Sequence, residues 1–307
     1  MKRAAMLIAV LAMTSFAFAQ YGSEPQNNKP AGQPATNSQA GTAQQGAAAQ
    51  TAPPEGKRPP QAKTQPEFEA YKAAAANQND PAAMEKAAND FATKFPDSEL
   101  RAMLYKAAMH GYQNANNGDK MMEMGRAVLK IDPDDPEALV GVAEVLTERT
   151  RDTDLDKDQR LAEAAKLAQH ALETVDTDVV VPAGTPQERV DAYKGFYRST
   201  AYSILGTLSF NQEKYPEAEG YFQKSIDAYP SQPDPVVVLR LALALDKQSK
   251  YPEALKQANR AVELTQENTP AGTLARQERS RLVQLTGGTA PAPAKPPAST
   301  PNPTPKN

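Results

Sequence analysis

The chain has 307 residues and no cysteine or tryptophan. That excludes a disulfide framework, a thiolate nucleophile, a Cys-ligated metal and a lipid carried on cysteine. Its formal charge is −3. Six basic and two acidic residues before 65, and two lysines after 286, leave 26 basic and 35 acidic side chains for 65–286, a net of −9 that argues against a nucleic-acid partner.

In chain order, residues 1–19 open with Lys2-Arg3, run apolar and end in Ala17-Phe18-Ala19. This pattern reads as a secretory signal peptide. The run is shorter than the roughly 20 apolar residues a bilayer span needs. It predicts an exported protein, periplasmic or extracellular and soluble, without integral membrane insertion. Residues 20–64 are rich in Gln, Asn, Ala, Gly and Pro. They read as a disordered segment that cannot bury enough apolar surface to offset its ordering entropy. Residues 287–307 hold seven prolines and read as a second disordered, extended tail.

Between these tails, 65–286 is helical by pattern. Good helix formers dominate, and apolar residues recur at three and four spacings. Lys-Tyr-Pro-Glu-Ala occurs at 214–218 and again at 250–254, an offset of 36 residues. Each copy sits between an apolar helix and an amphipathic one, the mark of a helix–turn–helix solenoid. Looser units cover 66–96, 102–133 and 136–175. The last has a polar insertion at 149–158. Val179-Val180-Val181 is too short for a dependable strand and reads as a loop lying against the helices. Thr185-Pro186-Gln187-Glu188 has the form of a capping box and predicts a long helix over about 186–212. Tyr193 and Tyr197 share one face of it. A final helix over 270–285 carries a charged outer face and ends at Gly287 and Gly288.

Tyr202, Leu205, Gly206, Phe210, Tyr215, Ala218, Phe222, Ser225 and Pro230 resemble the tetratricopeptide repeat, a helical hairpin of 34 residues. Leu241, Ala242, Leu245, Tyr251, Ala254, Ala258 and Ala261 repeat the pattern, with most aromatics replaced by aliphatics. The resemblance implies an all-α, right-handed superhelical solenoid of about five hairpins plus a C-terminal helix, flanked by the disordered tails. It also implies a concave wall lined by the first helix of each hairpin. Carried onto this sequence, the groove-facing residues are Met103, Lys106, His110, Gln113 and Asn114, then Val140, Glu144, Thr147 and Glu148. The fourth unit supplies Ser203, Thr207, Phe210 and Asn211, and the fifth Val236, Leu239, Leu243, Asp246 and Lys247. Such a wall suits an extended peptide or a partner helix.

Nothing in the sequence points to catalysis or a cofactor. The two histidines, His110 and His170, lack a second ligand at metal spacing. Asp152, Asp154, Asp156 and Asp158 alternate like a calcium loop but lack its middle glycine and closing glutamate. The expectation is an exported protein–protein interaction scaffold, with cell-envelope assembly as its setting. A glycan- or peptidoglycan-binding module and a rigid spacer with tethering tails are the alternatives.

Overall fold

The computed structural model describes residues 57–182 and 184–287. The expected signal peptide and most of the two low-complexity segments lie outside the described residues.

Eleven helices occur among the described residues. They are α1 (Gln65–Ala75), α2 (Pro81–Lys94), α3 (Leu100–Asn114), α4 (Gly118–Leu129), α5 (Pro136–Arg149) and α6 (Lys157–Thr174), followed by α7 (Gln187–Asn211), α8 (Tyr215–Ala228), α9 (Pro235–Lys247), α10 (Tyr251–Leu264) and α11 (Pro270–Thr286). Consecutive helices pack as five hairpins, and α11 closes the stack on α10 and α9. This is the expected TPR-like solenoid with an extra C-terminal helix.

Local chemistry sets the boundaries. Asp80, Asp135, Asp234 and Thr269 each accept a first-turn amide, and each precedes a proline at the first helical position. The cap satisfies an orphan donor, and the proline contributes a preset φ where no donor is needed. Thr185 departs from the expected capping box. Its hydroxyl donates to the Pro182 carbonyl at 2.7 Å, which leaves Pro186 at the cap and starts α7 at Gln187. The Thr185 hydroxyl and amide both bond the Pro182 carbonyl, so the residue closes the preceding turn instead of capping α7.

Three hairpins turn in one manner. Asn116, Glu213 and Ser249, each two residues past a first helix, take positive φ of 55°, 60° and 60°. The next amide reaches back five residues in each case: Asn117 to Tyr112, Lys214 to Ser209 and Lys250 to Leu245, at 2.9, 2.9 and 3.0 Å. A left-handed residue followed by a backbone closure of this kind ends a helix without orphaning its last carbonyls. The third hairpin carries the insertion instead. Arg151–Lys157 forms a turn in which Asp154 accepts the Arg151 amide and Lys157 pairs with Asp152, while Leu155 stands fully exposed.

Small residues set the helix spacing. Ala164, Ala168 and Ala171 on α6, and Ala254, Ala258 and Ala261 on α10, are buried against their first helices. Large side chains such as Phe222, Leu241 and Leu282 fill the space between units. α1 also touches α3, α5 touches α7, α7 touches α9, and α9 touches α11. The second helices make no contact of comparable extent, and neither do α3 and α5, so the first helices crowd together most closely at α5 and α7 while the second helices splay.

Val175, Val179, Val181 and Val190 form a small core under Tyr193 and Tyr197. The valine run therefore lies against the helices, as its sequence suggested. It also pairs with an unforeseen partner. Lys57 makes an isolated parallel bridge to Val180, and its ammonium meets Asp132 at 2.7 Å and Asp178 at 3.3 Å. Arg58 pairs with Glu99, and Lys63 donates to the Asp97 carbonyl. Residues 57–64 thus run along the connections between successive hairpins, eight residues ahead of the start that composition suggested.

Candidate binding surface on the first helices

The crowded first helices form one wall, and polar pairs cross it from helix to helix. From α1 to α3, the Tyr71 hydroxyl meets the Met103 sulfur at 3.9 Å. From α3 to α5, Lys106 lies 2.9 Å from Asp135 and 3.5 Å from Glu137. His110 Nε2 also pairs with Glu137. From α5 to α7 the contact is mainly apolar, with Leu139, Val142 and Leu146 packed against Ala201, Ile204 and Leu205, and the Glu137 charge acts on Tyr197. From α7 to α9, Arg240 donates to the Thr207 hydroxyl at 2.8 Å. From α9 to α11, Arg281 pairs with Asp246 and with Glu278, the latter at 3.0 Å. Polar side chains thus bridge α1 to α3, α3 to α5, α7 to α9, and α9 to the closing helix α11.

The centre of this ladder is its most concentrated charge. The side chains of Asp135, Lys106, Glu137 and His110 are 3, 17, 21 and 31% exposed. Burial pulls the Lys106 ammonium down, and the Glu137 and Asp135 carboxylates outweigh it and hold the pKa above its ordinary value. The Glu137 charge raises His110 against its own burial. Burial pushes Glu137 up, but His110 and Lys106 prevail and keep it below the usual carboxylate range. Desolvation drives Tyr197 well above its ordinary value, with the two carboxylates adding to the effect. Two cations against two carboxylates balance only while His110 is protonated. Partly buried charges persist when paired and hydrogen-bonded in this way.

The expected groove residues fall into three groups. Met103, Lys106, His110, Glu144, Thr147, Ser203, Thr207, Phe210, Val236, Leu243 and Asp246 are half-buried along the wall. Gln113, Asn114, Glu148, Asn211 and Lys247 are exposed near the helix C-termini. Val140 and Leu239 are 4% and 3% exposed and belong to the core, offering a partner no surface. Val140 packs in the apolar cluster that joins α5, α6 and α7, and Leu239 in the one that joins α8 to α11. Thr147 and Asn211 meet across a recess of about 800 Å³ whose lining includes Leu161, Leu208 and Arg151 of the insertion.

Asp135, Glu137, Arg240 and Arg281 lie outside the residues that the sequence places in the groove, and Tyr197 is read there only as sharing a face with Tyr193, because each partner comes from another unit of the stack. A signal was present. The pairs 71/103, 106/137, 207/240 and 246/281 are 32, 31, 33 and 35 residues apart, just short of one repeat period.

Among the described residues, no group of three His, Asp or Glu side chains is arranged to hold a metal ion. No described helix is long and apolar enough to cross a membrane. His170 lies on the second helix α6, with Asp134 at 2.7 Å and Glu173 at 3.3 Å.

No family model matches the chain, and no curated protein is detectably similar. Some solved structures are similar to it in fold. One is a Pseudomonas aeruginosa structure titled for the functional characterization of pilF, at TM-score 0.46 and 19% identity over 73% of this chain and 96% of that one. Another is PilW, described as a widely conserved type IV pilus biogenesis factor, at 0.43 and 18% over 74% and 96%. A third is a thermophilic TPR protein of Thermus thermophilus, at 0.39 and 15% over 71% and 99%.

Proposed function

We propose that this chain is an exported interaction scaffold whose first-helix wall receives an extended peptide or a helix of a partner protein, in the cell envelope. The observation that carries the reading is the ladder of polar pairs that runs along the first helices and on to α11. It fixes the wall before any partner arrives, so little ordering entropy is left to oppose binding. Ser203 and Leu243 stand between its rungs as half-buried side chains that a guest can cover. The apolar start of the sequence, ending in Ala17-Phe18-Ala19, supports export and hence a partner in the envelope.

Photocrosslinking residues at Ser203 and Leu243, with a control at Lys86 on α2, test the proposal in cells. The expected result is a discrete protein adduct from the two wall positions and none from the control. Leu243→Glu should abolish the Ser203 adduct while the helical circular dichroism stays unchanged. Equal adducts from wall and control, or an adduct indifferent to Leu243→Glu, would overturn the assignment.

A further inference from the structure

The splayed second helices carry a feature unlike the wall. Between α8 and α10 lies a furrow of about 660 Å³ lined by Gln223, Lys256, Gln257, Asn259, Arg260 and Glu263. On the wall, the charges of Lys106, His110, Asp246 and Arg281 are all met by neighbours. In the furrow, the side chains of Lys256, Gln257, Asn259, Arg260 and Glu263 form no hydrogen bond or ion pair with any described residue. Arg260 and Glu263 stand three apart on one helix and still do not pair. The Gln257 and Asn259 amide oxygens are shielded from solvent and lack a protein donor. Buried carbonyl oxygens of this kind are normally satisfied. Only Gln223 is engaged, through its amide to Asp227 at 2.9 Å.

We infer that this furrow is a second binding site, on the opposite side of the hairpins from the wall, for a short extended acidic peptide segment of a partner. Three matches support that chemistry. Lys256 and Arg260 are one helical turn apart, so their Cβ atoms are about 5–6 Å apart. Alternate side chains of an extended strand are about 6.6 Å apart, so carboxylates at every second residue face both cations. Gln257 and Asn259 are partly exposed beside them, and a guest that draws their unpartnered carboxamides outward meets a donor and an acceptor in each, which suits the N–H and C=O groups of a peptide backbone. Glu263 closes the far end with a negative charge and limits the acidic stretch. From Lys256 to Glu263 the helix rises about 10 Å, the length of roughly three extended residues. The furrow has no aromatic platform of the kind that stacks on a sugar ring, so a glycan fits less well.

The probe is a short fluorescent peptide of alternating Glu and Thr, titrated by anisotropy against the full chain. A Lys/Thr peptide and an acidic oligosaccharide serve as comparisons. The expected result is saturable binding of the Glu/Thr peptide alone. Lys256→Glu and Arg260→Glu should each weaken it by about tenfold or more, with circular dichroism and Tm unchanged. Leu243→Glu on the wall should leave it intact. Asn259→Leu should raise Tm, because it removes the unpartnered oxygen, yet weaken the peptide. A purely structural Asn259 would not give that split. Absent binding, preference for the oligosaccharide, or affinity unchanged in both charge reversals would overturn the inference.

Discussion

Gly206 of α7 lies flat against the ring of Phe222 on α8: a Cβ placed on the glycine would stand 2.6 Å from two ring carbons. The fourth hairpin closes on this contact, and Phe222 is fully buried. Gly206→Ala should therefore destabilise the chain by about 1–3 kcal/mol through overpacking. Phe222→Ala should cost about 3–5 kcal/mol through the cavity it leaves. Urea melts of the single variants and of Gly206→Ala with Phe222→Leu check the pairing. The double variant should recover part of the Gly206→Ala loss, because the smaller side chain makes room for the methyl.

Lys106 offsets two carboxylates at once. Lys106→Met should strand Asp135 and Glu137 with only His110 between them and cost about 3 kcal/mol. Adding Glu137→Gln should restore part of that loss by removing the uncompensated charge. A double-mutant cycle by chemical denaturation reads this directly. Strictly additive losses would mean that the two side chains do not interact.

His110 gives the wall a dependence on pH. Its folded pKa is raised, chiefly by Glu137. The stability it contributes is present in full below its unfolded value of about 6.5 and disappears as pH rises through the folded value. Burial lowers the pKa of His170, but Asp134 and Glu173 outweigh it and raise the value, so His170 acts in the same direction. The depressed pKa of Glu137 has the opposite sign, and its contribution is lost as pH falls through the folded value. Tm should therefore decline as pH rises from about 6.5. His110→Gln should flatten that decline more than His170→Gln, since His170 is the more solvated. An unchanged slope in His110→Gln would refute the assignment.

Glu213 holds a positive φ of 60° at a turn where a side chain is disfavoured. Glu213→Gly should stabilise the chain by about 1 kcal/mol, because the left-handed conformation is costly for an L-residue. The corresponding Ser249→Gly should behave alike. Thermal melts that fall in both variants would contradict the turn geometry.

The hairpins were legible because their signals are local. Lys-Tyr-Pro-Glu-Ala twice, Asp-Pro at helix starts and the small residues at 206 and 218 each state a geometry within one unit. The ladder was not, because a pairing such as Lys106 with Glu137 requires the stacking of one hairpin on the next. Val140 and Leu239 were assigned to the wall for a related reason. Helical spacing places them on the same stripe as their neighbours, but it does not register how far flanking helices wrap around α5 and α9. Thr185 shows the limit at a boundary, where a hydroxyl one residue from its expected place chose a carbonyl over an amide.

The backbone pairing of Lys57 with the valine segment fixes where an upstream load enters the molecule. A pull on the chain ahead of Lys57 reaches first the bridge to Val180 and the ion pairs with Asp132 and Asp178. These contacts join connections of the second and third hairpins, so tension is shared among units before α1 can be peeled from the end of the stack. The segment works as a strain relief, guarding the most vulnerable hairpin of a body whose units otherwise lean only on their neighbours.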